Sequence, residues 1–345
     1  MEYNGKYKIF DAGKIKTYPV SERINRVSLS DLVTPAEVAG MQVTATEDVQ
    51  EKIGLLAREI VAAREKGLPV VFFTGAHLIK NGFGPLVADL VKRKMFTLVA
   101  GNAATSIHDF ELALIGETSE DVPRALEEGR FGMAFEFNYI NAALILGNRE
   151  KLGYGEAVGK MICEENFRTG VEKLLKQKKG TLQFSHPEIS IQTACYENNT
   201  PLTIHAGIGT DVIDQHVYFD GEAKGGCSGR DFLIYTQEII KFTGGGVLIN
   251  VGSAVTGPEV FLKAASMAGN SGFTPRNIIT ADFDIRPYNP ESFTNEESVG
   301  YYFRDQKSIV TRIPQAFSGK GYYIQGNHKQ TFPLLYKKIL EYLQD

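Results

Sequence analysis

The 345-residue chain carries 37 basic and 41 acidic residues, a net charge of −4 that argues against a dedicated nucleic-acid or acidic-membrane binder. Apolar residues make up 43% of it, which is ample for a large core and excludes a disordered chain. Glycine is in excess at 35 residues, against a usual ~7%, and tryptophan is absent.

The chain opens Met1-Glu2-Tyr3-Asn4-Gly5-Lys6, with no apolar core of a secretory signal, and residues 1–40 read as a weakly periodic N-terminal arm. From residue 41 to 345 a single α/β domain is expected. Asp48–Lys66 carries Ile53, Leu56 and Ile60 at helical spacing and is closed by Gly67. Pro69–Phe73 is a short apolar strand, Pro85–Arg93 a helix, Phe96–Ala100 a second strand, and Ser106–Ile115 a second crossover helix. Residues 120–180 read as mainly helical. Strand–helix alternation resumes with Leu202–Ile204, Asp231–Phe242, Val247–Ile249, Glu259–Met267 and Asn277–Thr280. This alternation predicts a Rossmann-like, doubly wound, mostly parallel sheet flanked by helices.

Ligands of such sheets sit beyond the carboxyl ends of the strands. There the chain places Thr74-Gly75-Ala76-His77, Gly101-Asn102, His205 to Asp211, and Thr280-Ala281-Asp282-Phe283-Asp284. Glycine-bearing strand ends leading into helices favour a phosphate-bearing ligand, although neither Gly82-x-Gly84 nor Gly207-x-Gly209 completes a dinucleotide fingerprint. Gly244-Gly245-Gly246 is either a helix stop with a turn or a close backbone approach to a cofactor. Asp211, Asp282 and Asp284 either cap helices or bind a cationic amine. Three scattered cysteines and six scattered histidines offer neither a disulfide framework nor a metal-ligand pattern, and they fit a reducing, cytoplasmic compartment.

In order along the chain, these segments resemble the deoxyhypusine synthase family. Phe73 to Gly82 is similar to its T-S-N-L-x-S-S-G turn, and Ser106-Ile107-His108-Asp109-Phe110-Glu111 to its acidic helix start. Ile208-Gly209-Thr210-Asp211 is similar to its glycine–aspartate strand end, and Gly244-Gly245-Gly246-Val247 to its G-G-G-V turn. Thr280-Ala281, with Phe283-Asp284, is similar to T-A-Q-E-F-D, and Phe332-Pro333-Leu334-Leu335 to F-P-L-L.

The resemblance implies a homotetramer that binds NAD at a subunit interface and transfers an aminobutyl group from a polyamine such as spermidine, through an imine on a lysine, to an acceptor amine. It places Thr74, Gly75, Gly101, Asn102, Asp109, Gly244, Gly245, Gly246, Thr280 and Ala281 on the cofactor. It places Asp211, Asp284, Glu297, Tyr301 and Asn250 on the substrate, with Asp211 and Glu297 among the catalytic groups. The family's lysine falls at Phe303 and its tryptophan at Tyr301, so a shifted register makes Lys307 the nucleophile, with Lys320 second. Without that lysine, the scaffold would serve a different amine- or guanidino-directed enzyme, or a ligand-binding oligomer.

Overall fold

A computed structural model describes residues 3–344. Its strands are β1 (Asn25–Ser28), β2 (Val70–Thr74), β3 (Leu98–Gly101), β4 (Glu117–Glu120), β5 (Leu202–Ile204), β6 (Gly246–Val251), β7 (Ile278–Asp284) and β8 (Lys320–Gln325). β1 and β4 form a small antiparallel ribbon, and the other six form one parallel sheet in the order β5-β3-β2-β6-β7-β8. Numbered by appearance within the sheet, this is the order 3-2-1-4-5-6 of the doubly wound Rossmann-like fold. The order reverses between β2 and β6, which pair from Val70↔Val247 to Thr74↔Val251.

Strands buried on both faces need no polar alternation, and all five residues of β2 and all six of β6 are buried. Neighbouring side chains enter opposite layers: Phe72 packs with Ile53, Leu56 and Ile60 of the helix Glu47–Glu65, whereas Phe73 packs with Tyr235, Ile239 and Phe261 on the other face. The helix His328–Gln344 closes the first layer, with Phe332 against Phe72 and Phe83.

Departures from the sequence reading include the β1–β4 ribbon and three further elements. The helix expected from Asp231 begins at Gly221, because Asp220 caps it by accepting the N–H groups of Glu222 (2.9 Å) and Ala223 (3.0 Å). That cap offsets the poor helix propensity of Gly225, Gly226 and Gly229. β7 runs on to Asp284, four residues beyond the expected end. β8 is an unanticipated edge strand in which a Cβ at Gly321 would lie 2.2 Å from the Val310 carbonyl oxygen.

Gly244–Gly246 precedes β6 and therefore lies at the amino ends of the strands, opposite any ligand at their carboxyl ends. Its glycines answer to backbone geometry: Gly245 and Gly246 have φ of 101° and 154°, and a Cβ at Gly246 would lie 2.7 Å from the Pro69 carbonyl oxygen. The cofactor role expected of this turn is corrected accordingly. Lys320 opens β8 at the same wrong edge, so it is no nucleophile for a site at the other.

Candidate functional site

A cleft of about 430 Å³ opens at the carboxyl edge of the sheet beside the strand-order reversal, within the ~300–1,000 Å³ of small-molecule sites. The ends of β6, β7 and β8 and the turn after β2 converge on it. Gly252 and Gly326 bring bare backbone to the lining, while Asp284, Arg286, Asp305 and His328 bring charge and proton-transfer chemistry.

The acidic side is built on β7. Asp282 points into the interior, where Asn250, its register partner on β6, donates from Nδ2 to Oδ1 at 2.7 Å. The other Asp282 oxygen is buried with no hydrogen-bond partner among the described residues. Burial, with the nearby Asp305, pushes the Asp282 carboxyl well above the ordinary range. Asp284, two residues on, reaches the cleft itself. Arg286 bridges Asp284 and Asp305 and lies over the Phe303 ring at 4.3 Å. Burial raises Asp305, whereas at Asp284 the hydrogen bonds and charge of Arg286 outweigh burial and lower the pKa. Oxygens of the three carboxylates come within 4.8 Å of one another.

The segment after Asp305 is a π-helical turn, Gln306–Arg312, a rare geometry often found at functional sites. Asp305 caps it, accepting the Gln306 N–H at 2.9 Å. In the same lining, His328 Nε2 lies 3.0 Å from the Phe283 carbonyl oxygen. A carbonyl can only accept, so Nε2 carries the hydrogen and Nδ1 is left as a lone-pair acceptor. Burial lowers the His328 pKa, keeping that base neutral.

The residues singled out from sequence divide among several places. Asp284 lines the cleft, and Asn250 supports it through Asp282. Asp211 lies beyond β5 and lines a separate cavity, where Lys224 Nζ bonds it at 2.8 Å and Asp214 at 2.5 Å. The lysine that meets Asp211 is thus Lys224, at 1% exposure, which the sequence reading missed because thirteen residues separate the two. Lys307 lines neither cavity: Nζ donates to the Tyr301 carbonyl at 3.1 Å and sits 3.5 Å from the Tyr301 ring centroid. Desolvation and the Arg312 and Arg304 guanidinia lower its pKa, and its hydrogen bond goes to Tyr301 rather than to a cleft residue. Tyr301 faces Lys307 rather than the cleft, and Glu297 is exposed, with its N–H on Asn295 Oδ1.

Most of the expected cofactor residues are committed to packing. Asp109 is buried and accepts from Ser190 Oγ (2.6 Å) and from the Ile191 (2.9 Å) and Gln192 (3.0 Å) N–H groups, which anchors the helix Ile191–Glu197. Thr280 donates to the Ile309 carbonyl inside β7, and Ala281 is buried beside it. Asn102 caps the helix Ala103–Ile115 by accepting the Thr105 N–H at 3.0 Å. Thr74 is buried at the end of β2. A Cβ at Gly75 would lie 2.1 Å from the Gly252 carbonyl oxygen, and one at Gly101 would lie 3.0 Å from the Thr105 side chain. These glycines allow close packing of the turns against neighbouring chain.

The sequence reading gave no role to Arg286, Asp305 or His328, and it named His77 only within a strand-end segment. The Asp-x-Asp-x-Arg run from Asp282 to Arg286, at the end of an expected strand, was the one local signal for them.

No protein-family profile and no curated protein matches the chain. Solved structures with a partial likeness include the apo form of ArgZ, a cyanobacterial arginine dihydrolase, at 16% identity and a TM-score of 0.47, covering 86% of this chain and 32% of that one. AgrE in complex with ornithine and NAD+ gives 15% and 0.47, covering 88% and 34%. A protein assigned as a deoxyhypusine synthase of Entamoeba histolytica gives 11% and 0.46, covering 95% and 97%. The chain spans about a third of the length of the ArgZ and AgrE chains. Among the described residues no helix is long and apolar enough to cross a membrane.

Proposed function

We propose that this protein is an amine-directed enzyme whose cationic substrate binds in the cleft of Asp284 and Asp305. The observation that carries the reading is the Arg286 bridge: two cleft-lining carboxylates already hold a guanidinium, so their spacing suits a cationic nitrogen. Two carboxylates around one cation also leave net negative charge, which favours a ligand bearing more than one positive group. His328, neutral and with Nδ1 free, is placed to take a proton from an ammonium in the same cleft.

The sequence motifs make the finer reading a NAD-dependent aminobutyl transfer from a polyamine such as spermidine, in a cytoplasmic homotetramer. NAD would supply the hydride acceptor that amine oxidation requires. Lys329 is the lysine in the cleft lining, so an imine-forming role falls to it before Lys307.

A second reading, a guanidino-directed enzyme with no covalent lysine, is favoured by the guanidinium that the carboxylates hold. Purified protein given NAD and spermidine should release diaminopropane and develop NADH fluorescence. Turnover of agmatine but not spermidine would select the second reading, and failure to bind either would refute both.

A further inference from the structure

A second cavity, of about 230 Å³, lies on the other side of the strand-order reversal, where the segments following β2, β3 and β5 meet the β1–β4 ribbon. The short helix Ala76–Lys80 forms a wall of each cavity: His77 faces the acidic cleft and Lys80 faces this one. At ~30 Å³ per water, the cavity holds roughly eight waters, the scale of a small metabolite.

Its charges are sorted by position. Arg23 and Glu111 form an ion pair with both side chains 3% exposed, so they neutralise each other. His108 Nδ1 is 2.7 Å from Thr118 Oγ1 in the same network. Asp211 and Asp214 share the single ammonium of Lys224, which leaves one net negative charge on that wall. Glu120 meets only neutral donors, the Tyr18 hydroxyl at 2.7 Å and the Gly132 N–H at 2.9 Å, and so adds a second. Lys80 lines the cavity with no ion-pair partner among the described residues. Ser119, also in the lining, is buried at φ 69°, in the left-handed region that a serine in a strand pays for in strain. Such strain concentrates at ligand sites.

An unpaired ammonium on one wall and uncompensated carboxylates on others are complementary to a molecule with one charge of each sign. We propose that this cavity is a second ligand site that takes a small zwitterion, an amino acid whose carboxylate meets Lys80 and whose ammonium meets Asp211 and Glu120. The site is separate from the acidic cleft and does not depend on the reading of that cleft.

The test is calorimetric titration of the full chain with 4-aminobutyrate, with butyrate and butylamine as single-charge controls. Saturable binding of 4-aminobutyrate is expected, weakened about tenfold or more by Lys80→Gln and recovered by Lys80→Arg. Lys80→Gln should unfold at the same urea midpoint as the parent, which shows that the variant is folded. The proposal is overturned if 4-aminobutyrate fails to bind, if Lys80→Gln leaves its affinity unchanged, if butyrate binds as tightly, or if spermidine displaces it competitively.

Discussion

Replacing Arg286 by glutamine isolates the electrostatics of the acidic cleft. The guanidinium stands between Asp284 and Asp305, which belong to a carboxylate cluster whose oxygens lie within 4.8 Å of one another. Two unit charges at that separation repel by about 3 kcal/mol at an effective dielectric of ~20. An unfolding entropy of ~2.1 cal/mol/K per residue, over 345 residues, converts that to a Tm lower by about 4 °C. A polyamine ammonium seated in the vacated position should restore most of the loss, and it should shift the variant more than the parent, where Arg286 competes for the same carboxylates. Thermal denaturation at about pH 8, above the ordinary carboxylate range, with and without spermidine or agmatine, reads both effects. An unchanged Tm, or a loss that neither compound restores, would refute the assignment of this carboxylate pair to a cationic nitrogen.

Asp231 is buried and holds the Ile204 (2.7 Å) and Gly155 (3.0 Å) N–H groups, and burial raises its pKa to about 7 from 3.8. An acid raised on folding makes its full contribution below its unfolded pKa and loses it as pH climbs to the folded value. Urea midpoints should therefore fall between about pH 4 and 7, by up to ~4 kcal/mol, and Asp231→Asn should flatten that slope. Gly75→Ala forces a Cβ to 2.1 Å from the Gly252 carbonyl oxygen and should cost about 1–3 kcal/mol, read from the urea midpoint of the variant. Lys307→Ala should leave the spermidine affinity within about twofold of the parent by calorimetry, because its ammonium is spent on Tyr301.

The glycine excess shows how composition can be read too locally. Of the eleven glycines from Gly207 to Gly257, four lie in the helix Gly221–Ile239 and three in the turn at the amino edge of β6. Only Gly252 among them reaches the acidic cleft, where its φ of 66° excludes other residues at little strain. A glycine has the same letter whether it admits a ligand or a neighbouring backbone, and the neighbour is known only after folding.

Local pattern was sufficient for what local physics governs. Leu202–Ile204 is a strand at the expected residues, and the apolar runs ending at Thr74 and Gly101 are strands because continuous burial suits β-branched and aromatic side chains. The alternation of such runs with amphipathic helices sufficed for the parallel, doubly wound class. The order of strands in the sheet decided the rest, because it chose which loops meet. It separated Asp211 from Asp284 into two cavities, turned Gly244–Gly246 and Lys320 to the far edge, and brought Asp305 to Asp284 across twenty residues of intervening chain. Spacing along a sequence carries the period of a helix or a strand, but the partners of a charge are set by packing between segments distant in the chain.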